Sequence, residues 1–119
     1  MLTGTCHCES VRIEVPRKPA ALTSCNCSIC RRYGALWAYY KASSVRVDAD
    51  RRALATYSWG DKRLAFVRCG NCGCVMQWKK IGGGPDSRMG VNFRNFDAGL
   101  LTAIRIRHLD GAATWKFLD

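Results

Sequence analysis

The sequence predicts an all-β fold, and three observations carry the prediction. Short runs of strand-forming residues recur along the chain, helix signals appear at only two places, and the cysteines cluster where those runs end. In chain order, Val11–Val15 alternates apolar and polar residues, and Leu36–Tyr40 is rich in aromatics that favour a pleated surface. Ser44–Val47 and Ala53–Tyr57 supply two further short strands. Arg63–Val67 is apolar with flanking charge, Val75–Trp78 follows the last cysteine cluster, and Ile104–Arg107 alternates again. Pro, Gly and Asp separate these runs. The two helical places are a turn that begins at Ser28 and is stopped by Gly34, and a second that opens after Asp97 and runs through Leu101.

At 119 residues, 48% of them hydrophobic, the chain suits one domain spanning residues 1–119 with a modest core. It contains no low-complexity tract, fixed-period repeat or interdomain linker. No stretch reaches the roughly 18 apolar residues of a membrane span, and MLTGTCHCES lacks the basic start and apolar run of a signal peptide. A cytoplasmic chain is expected.

That compartment decides how the eight cysteines are read. A reducing cytosol does not sustain a disulfide framework, whereas closely spaced thiols there bind metal. The cysteines fall into CHC at 6–8, CNCSIC at 25–30 and CGNCGC at 69–74. In C-x-C and C-x2-C a disulfide would be strained or local, yet the sulfurs can converge on one cation about 2.3 Å from each. Zinc fits these spacings. An iron–sulfur cluster also takes cysteine ligands, but the ferredoxin runs are spaced differently. The formal charge of +10 counts every thiol as neutral, and seven thiolates around two zinc ions still leave the chain basic. Its bases stand as pairs (Arg31-Arg32, Arg51-Arg52, Lys62-Arg63, Lys79-Lys80) rather than in a block, which argues against a nucleic-acid arm.

Cys69-Gly70-Asn71-Cys72-Gly73 has the form of a zinc half-site whose second glycine can take positive φ. Joined to Cys6 and Cys8, it makes a closed four-cysteine structural site that staples the start of the chain to its middle. CNCSIC then contributes Cys25, Cys27 and Cys30 from one loop, and three protein ligands with an open fourth position characterise a catalytic zinc. Such a metal can hold a thiol as thiolate or polarise an aldehyde oxygen, so a small thiol and a small aldehyde are the expected partners. Two zinc ions are expected, the loop ion being the more labile. Cys74 admits three readings: a fourth ligand that closes the loop site, a plain buried thiol, or a redox or substrate group.

The order C-x-C, C-x-C-x2-C followed by Arg, then C-x2-C-G resembles the glutathione-dependent formaldehyde-activating enzyme (GFA) family. The likeness covers 4–15, 25–34, 68–78 and 89–97. It implies packed, mostly antiparallel sheets like those of the zinc-binding Rab-exchange chaperones. It implies a structural zinc on Cys6, Cys8, Cys69 and Cys72, and a catalytic zinc on Cys25, Cys27 and Cys30. It further implies carbon–sulfur lyase-type chemistry, in which glutathione and formaldehyde join reversibly as S-hydroxymethylglutathione. Cys74 departs from the Ser or Thr that many members carry there.

Glutathione has two carboxylates, so Arg31 and Arg32, beside the third loop cysteine, are the substrate-binding candidates. Arg94 and Asn92 are weaker ones. His7 is expected to point outward, His108 to lie on the surface, and Trp37, Trp59, Trp78 and Trp115 to form core or pocket wall. The alternative to an enzyme is a non-catalytic, zinc-stapled β module that binds a protein or nucleic acid; the fourth ligand of the loop metal separates the two.

Overall fold

The computed structural model describes residues 1–119, with the Arg51 side chain, one of the paired bases, outside the description. Three segments form one sheet: β1 (Leu2–Thr5), β2 (Arg12–Val15) and β5 (Arg46–Asp48), in the order β1-β2-β5 and antiparallel throughout. The larger sheet contains β3 (Ala21–Cys25), β4 (Trp37–Lys41), β6 (Leu54–Tyr57), β7 (Leu64–Cys69), β8 (Val75–Lys80), β9 (Arg88–Asn92) and β10 (Arg105–Leu109). Its order is β10-β3-β4-β9-β8-β7-β6, and only the β10–β3 pairing is parallel among the described residues. The fold is all-β, as its punctuated strand pattern predicts.

Each of the seven expected strands forms, within two residues of its expected bounds at either end. Three more strands, β1, β3 and β9, carry no readable pattern. β3 and β9 lie inside the large sheet with covered faces, so Leu22, Thr23 and Cys25, and the Met89–Asn92 run, are buried without alternation. β1 is four residues interrupted by Gly4. The first expected helical turn is α1 (Cys30–Tyr33), whose C-cap Gly34 adopts φ 65°, a left-handed geometry that costs glycine nothing. The second is α2 (Ala98–Ala103), capped by the Asp97 carboxylate accepting from the Gly99 N–H.

Between the sheets, Val11, Ile13 and Val15 meet Leu22, Leu36, Ala38, Tyr40, Met76, Val91 and Phe93 in one buried cluster. A fully buried side chain such as Ile13 contributes about 1.5–3 kcal/mol relative to exposure. A second cluster, on the face that carries α1, brings Trp37 and Phe66 against Cys25, Cys30 and Ala35. The cysteine loop between β3 and α1 therefore rests on a rigid aromatic floor.

Candidate metal centres

Cys6 and Cys8 sit in the β1–β2 hairpin turn, Cys69 ends β7, and Cys72 lies in the β7–β8 turn. The two hairpins belong to different sheets, so the cysteines meet across the sheet junction. In the first turn Cys6 N–H donates to Val11 O at 3.0 Å and Glu9 takes φ 66°. In the second, Gly73 turns the chain at φ 83° while Cys69 N–H donates to Cys74 O at 2.9 Å. The four sulfurs lie within 4.8 Å of one another, with Cys6–Cys8 at 3.7 Å and Cys8–Cys69 at 3.6 Å. Sulfurs about 2.3 Å from one tetrahedral ion stand about 3.8 Å apart, so this donor set fits zinc.

Backbone amides point at these sulfurs, Val11 N–H to Cys6 Sγ at 3.3 Å and Cys72 N–H to Cys69 Sγ at 3.4 Å. The Ser10 hydroxyl, 2.9 Å from Cys8 Sγ, and then the Asn71 side chain lower the Cys8 thiol to about 5. Backbone N–H groups of Cys74 and Cys8 lower Cys72 to about 7, whereas burial pushes Cys6 up. Thiolate is the form a metal requires.

Cys25 ends β3, Cys30 opens α1, and Cys27 lies in the loop between them; their sulfurs also lie within 4.8 Å of one another. Each accepts an N–H: Cys25 Sγ from Cys27 at 3.5 Å, Cys27 Sγ from Cys30 at 3.4 Å, and Cys30 Sγ from the Trp37 indole at 3.4 Å. Burial raises the Cys25 and Cys30 thiols; at Cys27 it is outweighed by the N–H groups of Cys30 and Ile29 and by the neighbouring thiols, so that thiol is lowered. This donor set supplies three sulfurs, with Cys25 and Cys30 on the wall of a cleft, and it fits a metal with one position left for another ligand.

Cys74 falls in neither group. It lies beside Cys72 and Cys69, with the His7 backbone near its thiol. The reading in which it closes the loop site fails because the β7–β8 turn holds it at the other centre. His7 is exposed, as expected.

A cleft of about 530 Å³ opens over the loop, lined by Cys25 and Cys30 together with Arg31, Arg94, His108 and Asp119, and with Leu109 and Leu118 as apolar wall. Arg31 and Arg32 part company here. Arg32 donates to Ser28 O at 2.7 Å and lines a separate recess of about 200 Å³ with Tyr57 and Trp59. Successive positions on a helix point about 100° apart, which spacing to Cys30 does not reveal. Arg94 lines the cleft and is held there by its Nε donating to Gly34 O. Asn92 is scaffold: at 6% exposure it accepts from Leu36 N–H and Arg94 N–H and donates to Val75 O.

His108 lies on the surface but also on the cleft wall, its Nδ1 2.7 Å from Asp119 Oδ2. Only the pairing of β10 beside β3 brings it there. The tryptophans divide: Trp37 is a core residue, 1% exposed and in contact with a cysteine sulfur; Trp59, 45% exposed, is not core but walls the smaller recess; Trp115 is 69% exposed, outside the core.

The model of a family described as glutathione-dependent formaldehyde-activating enzyme matches residues 1–105. A crystal structure of a Rhodobacter sphaeroides protein, solved in structural genomics, is similar at 29% identity and a TM-score of 0.73. The likeness covers 88% of this chain and 99% of that one.

Proposed function

The chain belongs to the glutathione-dependent formaldehyde-activating enzyme family, and from that premise we propose that it is a zinc-dependent carbon–sulfur lyase joining a small thiol, such as glutathione, reversibly to formaldehyde or another small aldehyde. The proposal treats residues 1–119 as one zinc-binding domain. The observation that carries it is the contrast between the two cysteine groups. Four sulfurs at the sheet junction form a closed set suited to a structural ion, and three, two of them on the wall of a cleft, leave a position for substrate.

Zinc held by Cys25, Cys27 and Cys30 would supply positive charge that keeps a substrate thiol ionised near neutral pH or polarises an aldehyde oxygen. The chain's own groups do the rest. Arg31 presents a planar guanidinium to a substrate carboxylate at the cleft wall, and Arg94 offers a second cation. Leu109 and Leu118 reduce the water around the reacting groups. In the forward reaction the thiol sulfur bonds to the aldehyde carbon and the carbonyl π pair moves to oxygen. The thiol proton ends on that oxygen. His108, fixed through Nδ1 by Asp119, carries this proton on Nε2 in the proposed scheme.

The test is exchange spectroscopy with glutathione and formaldehyde, compared with the uncatalysed background because the adduct forms unaided. Faster exchange with metal-replete protein, abolished by Cys27→Ser, is the expected result. No acceleration with any small thiol and aldehyde would leave the zinc-stapled binding module as the better reading.

A further inference from the structure

Asn26 stands between two of the loop cysteines, and the metal chemistry assigns it no task. Both polar atoms of its side chain are nevertheless engaged. Nδ2 donates to Asp110 Oδ1 at 3.0 Å, and Oδ1 accepts the Ala112 N–H at 2.9 Å. Its backbone N–H donates to Leu109 O at 3.2 Å, continuing the β10–β3 pairing into the loop. Asp110 is equally committed. Its second oxygen accepts from Thr114 Oγ1 at 3.0 Å and Thr114 N–H at 3.4 Å, and its backbone exchanges bonds with Trp115 and Lys116. The turn at 110–115 is thus tied internally and tied to residue 26.

That turn also lies directly on the thiols. A Cβ at Gly111 would stand 2.5 Å from Cys25 Sγ and 3.2 Å from Cys27 Cβ, so only glycine permits the approach. Residues 110–119 lie beyond the 1–105 match to the family model, so this contact belongs to a segment outside the matched region.

We propose that Asn26 and Asp110 form a clamp that positions the three-cysteine loop, with the 110–115 turn fixing the directions of the Cys25 and Cys27 sulfurs. Asn26 is bonded to Asp110 and Ala112 while Gly111 between them abuts Cys25 Sγ and Cys27 Cβ, so holding residue 26 against the turn fixes both its neighbours and keeps their sulfurs convergent. Asn26 is a positioning residue in this account; it touches no substrate. The inference rests on the reading of Cys25, Cys27 and Cys30 as metal ligands.

The geometry offers a reversal test. Asn26→Asp sets two carboxylates against each other and removes the donor to Asp110. Adding Asp110→Asn restores the pair with donor and acceptor exchanged: the new amide N–H donates to residue 26, its carbonyl still accepts from Thr114, and Ala112 N–H keeps an acceptor. Zinc release to a chromophoric chelator is followed for each variant, with the cobalt-substituted absorption spectrum as a second signature and thermal unfolding as a control. N26D is expected to release the loop metal roughly tenfold faster with an altered cobalt spectrum. Release from the four-cysteine site and the unfolding temperature should not change, and the double variant should return to wild-type behaviour. Gly111→Ala, which displaces Cys25 Sγ directly, should also weaken the loop site alone.

Wild-type-like release by N26D, or a double variant no better than N26D, overturns the clamp while leaving the metal reading intact. Wild-type protein that binds metal only at the four-cysteine site overturns that reading, and the clamp with it.

Discussion

The indole Nε1 of Trp37 donates to Cys30 Sγ across 3.4 Å, joining a core side chain of β4 to the first residue of α1. The indole is 1% exposed and tilted against Phe66, with ring centroids 6.2 Å apart, so its direction is fixed by packing. A donor aimed at a ligand sulfur favours the thiolate over the thiol and holds it in place. Trp37→Phe keeps an aromatic ring but removes the N–H. We expect the loop metal to be held roughly tenfold more weakly, with the four-cysteine metal unaffected, as measured by competition with a chelator of known affinity.

Activity and stability should separate between the two centres. Cys69→Ser removes one of the four sulfurs that could share an ion across the two sheets, and on the proposed reading is expected to unfold or aggregate the protein, since structural metal binding is folding free energy. Cys27→Ser should abolish adduct formation with a nearly unchanged thermal transition. Cys74→Ser should retain both metals and activity because its thiol belongs to neither sulfur group. Metal analysis, unfolding and exchange spectroscopy on the three variants check all of this; a stable Cys69→Ser protein would refute the staple.

The adjacent arginines should behave differently. Arg31 lines the cleft above Cys25 and Cys30, and Arg32 lines the recess with Tyr57 and Trp59. A charge-assisted hydrogen bond to a substrate carboxylate is worth about 1.5–3 kcal/mol, so Arg31→Ala should raise KM for an anionic thiol by roughly tenfold or more. Arg32→Ala should leave it unchanged. Equal effects would mean that the cleft is not where the thiol binds.

A tight contact in the large sheet makes a purely structural prediction. A Cβ at Gly90 would fall 2.1 Å from Trp78 Nε1, across the β8–β9 pair where the two residues face each other. Gly90→Ala must therefore lift the indole off the sheet. We expect destabilisation of about 1–3 kcal/mol in denaturant unfolding, with both metals retained.

The cleft wall should loosen in acid. The His108 backbone N–H, 2.7 Å from Asp119 Oδ1, and then the His108 ring lower the Asp119 carboxyl below its ordinary value. A carboxyl whose folded value lies below its unfolded one stabilises the fold above the unfolded value. That contribution is lost as pH falls through the folded value. Amide exchange at His108 should accordingly accelerate only at and below the ordinary carboxylate range, and Asp119→Asn should remove the pH dependence. A flat profile in the unsubstituted protein would rule out the contact in solution.

The sequence by itself determined the sheet class, the positions of the three cysteine clusters and the local half-sites Cys6/Cys8, Cys25/Cys27/Cys30 and Cys69/Cys72, because those features depend on local spacing. C-x-C and C-x2-C confine their sulfurs within one turn whatever the remainder of the chain does, and strands with one buried face announce themselves by alternation. Tertiary structure alone decided what long-range pairing controls. β3 and β9 have covered faces and therefore show no alternation, so the order β10-β3-β4-β9 was not written in any local run. That order brings His108 and Leu109 beside Ser24 and Cys25, and it sets Asp110 against Asn26 across 84 positions of sequence. It also seats Trp37 under Cys30, while the β7–β8 turn assigns Cys74 to the far centre. Spacing specifies which atoms could share an ion; only the register of the sheet specifies which wall they face.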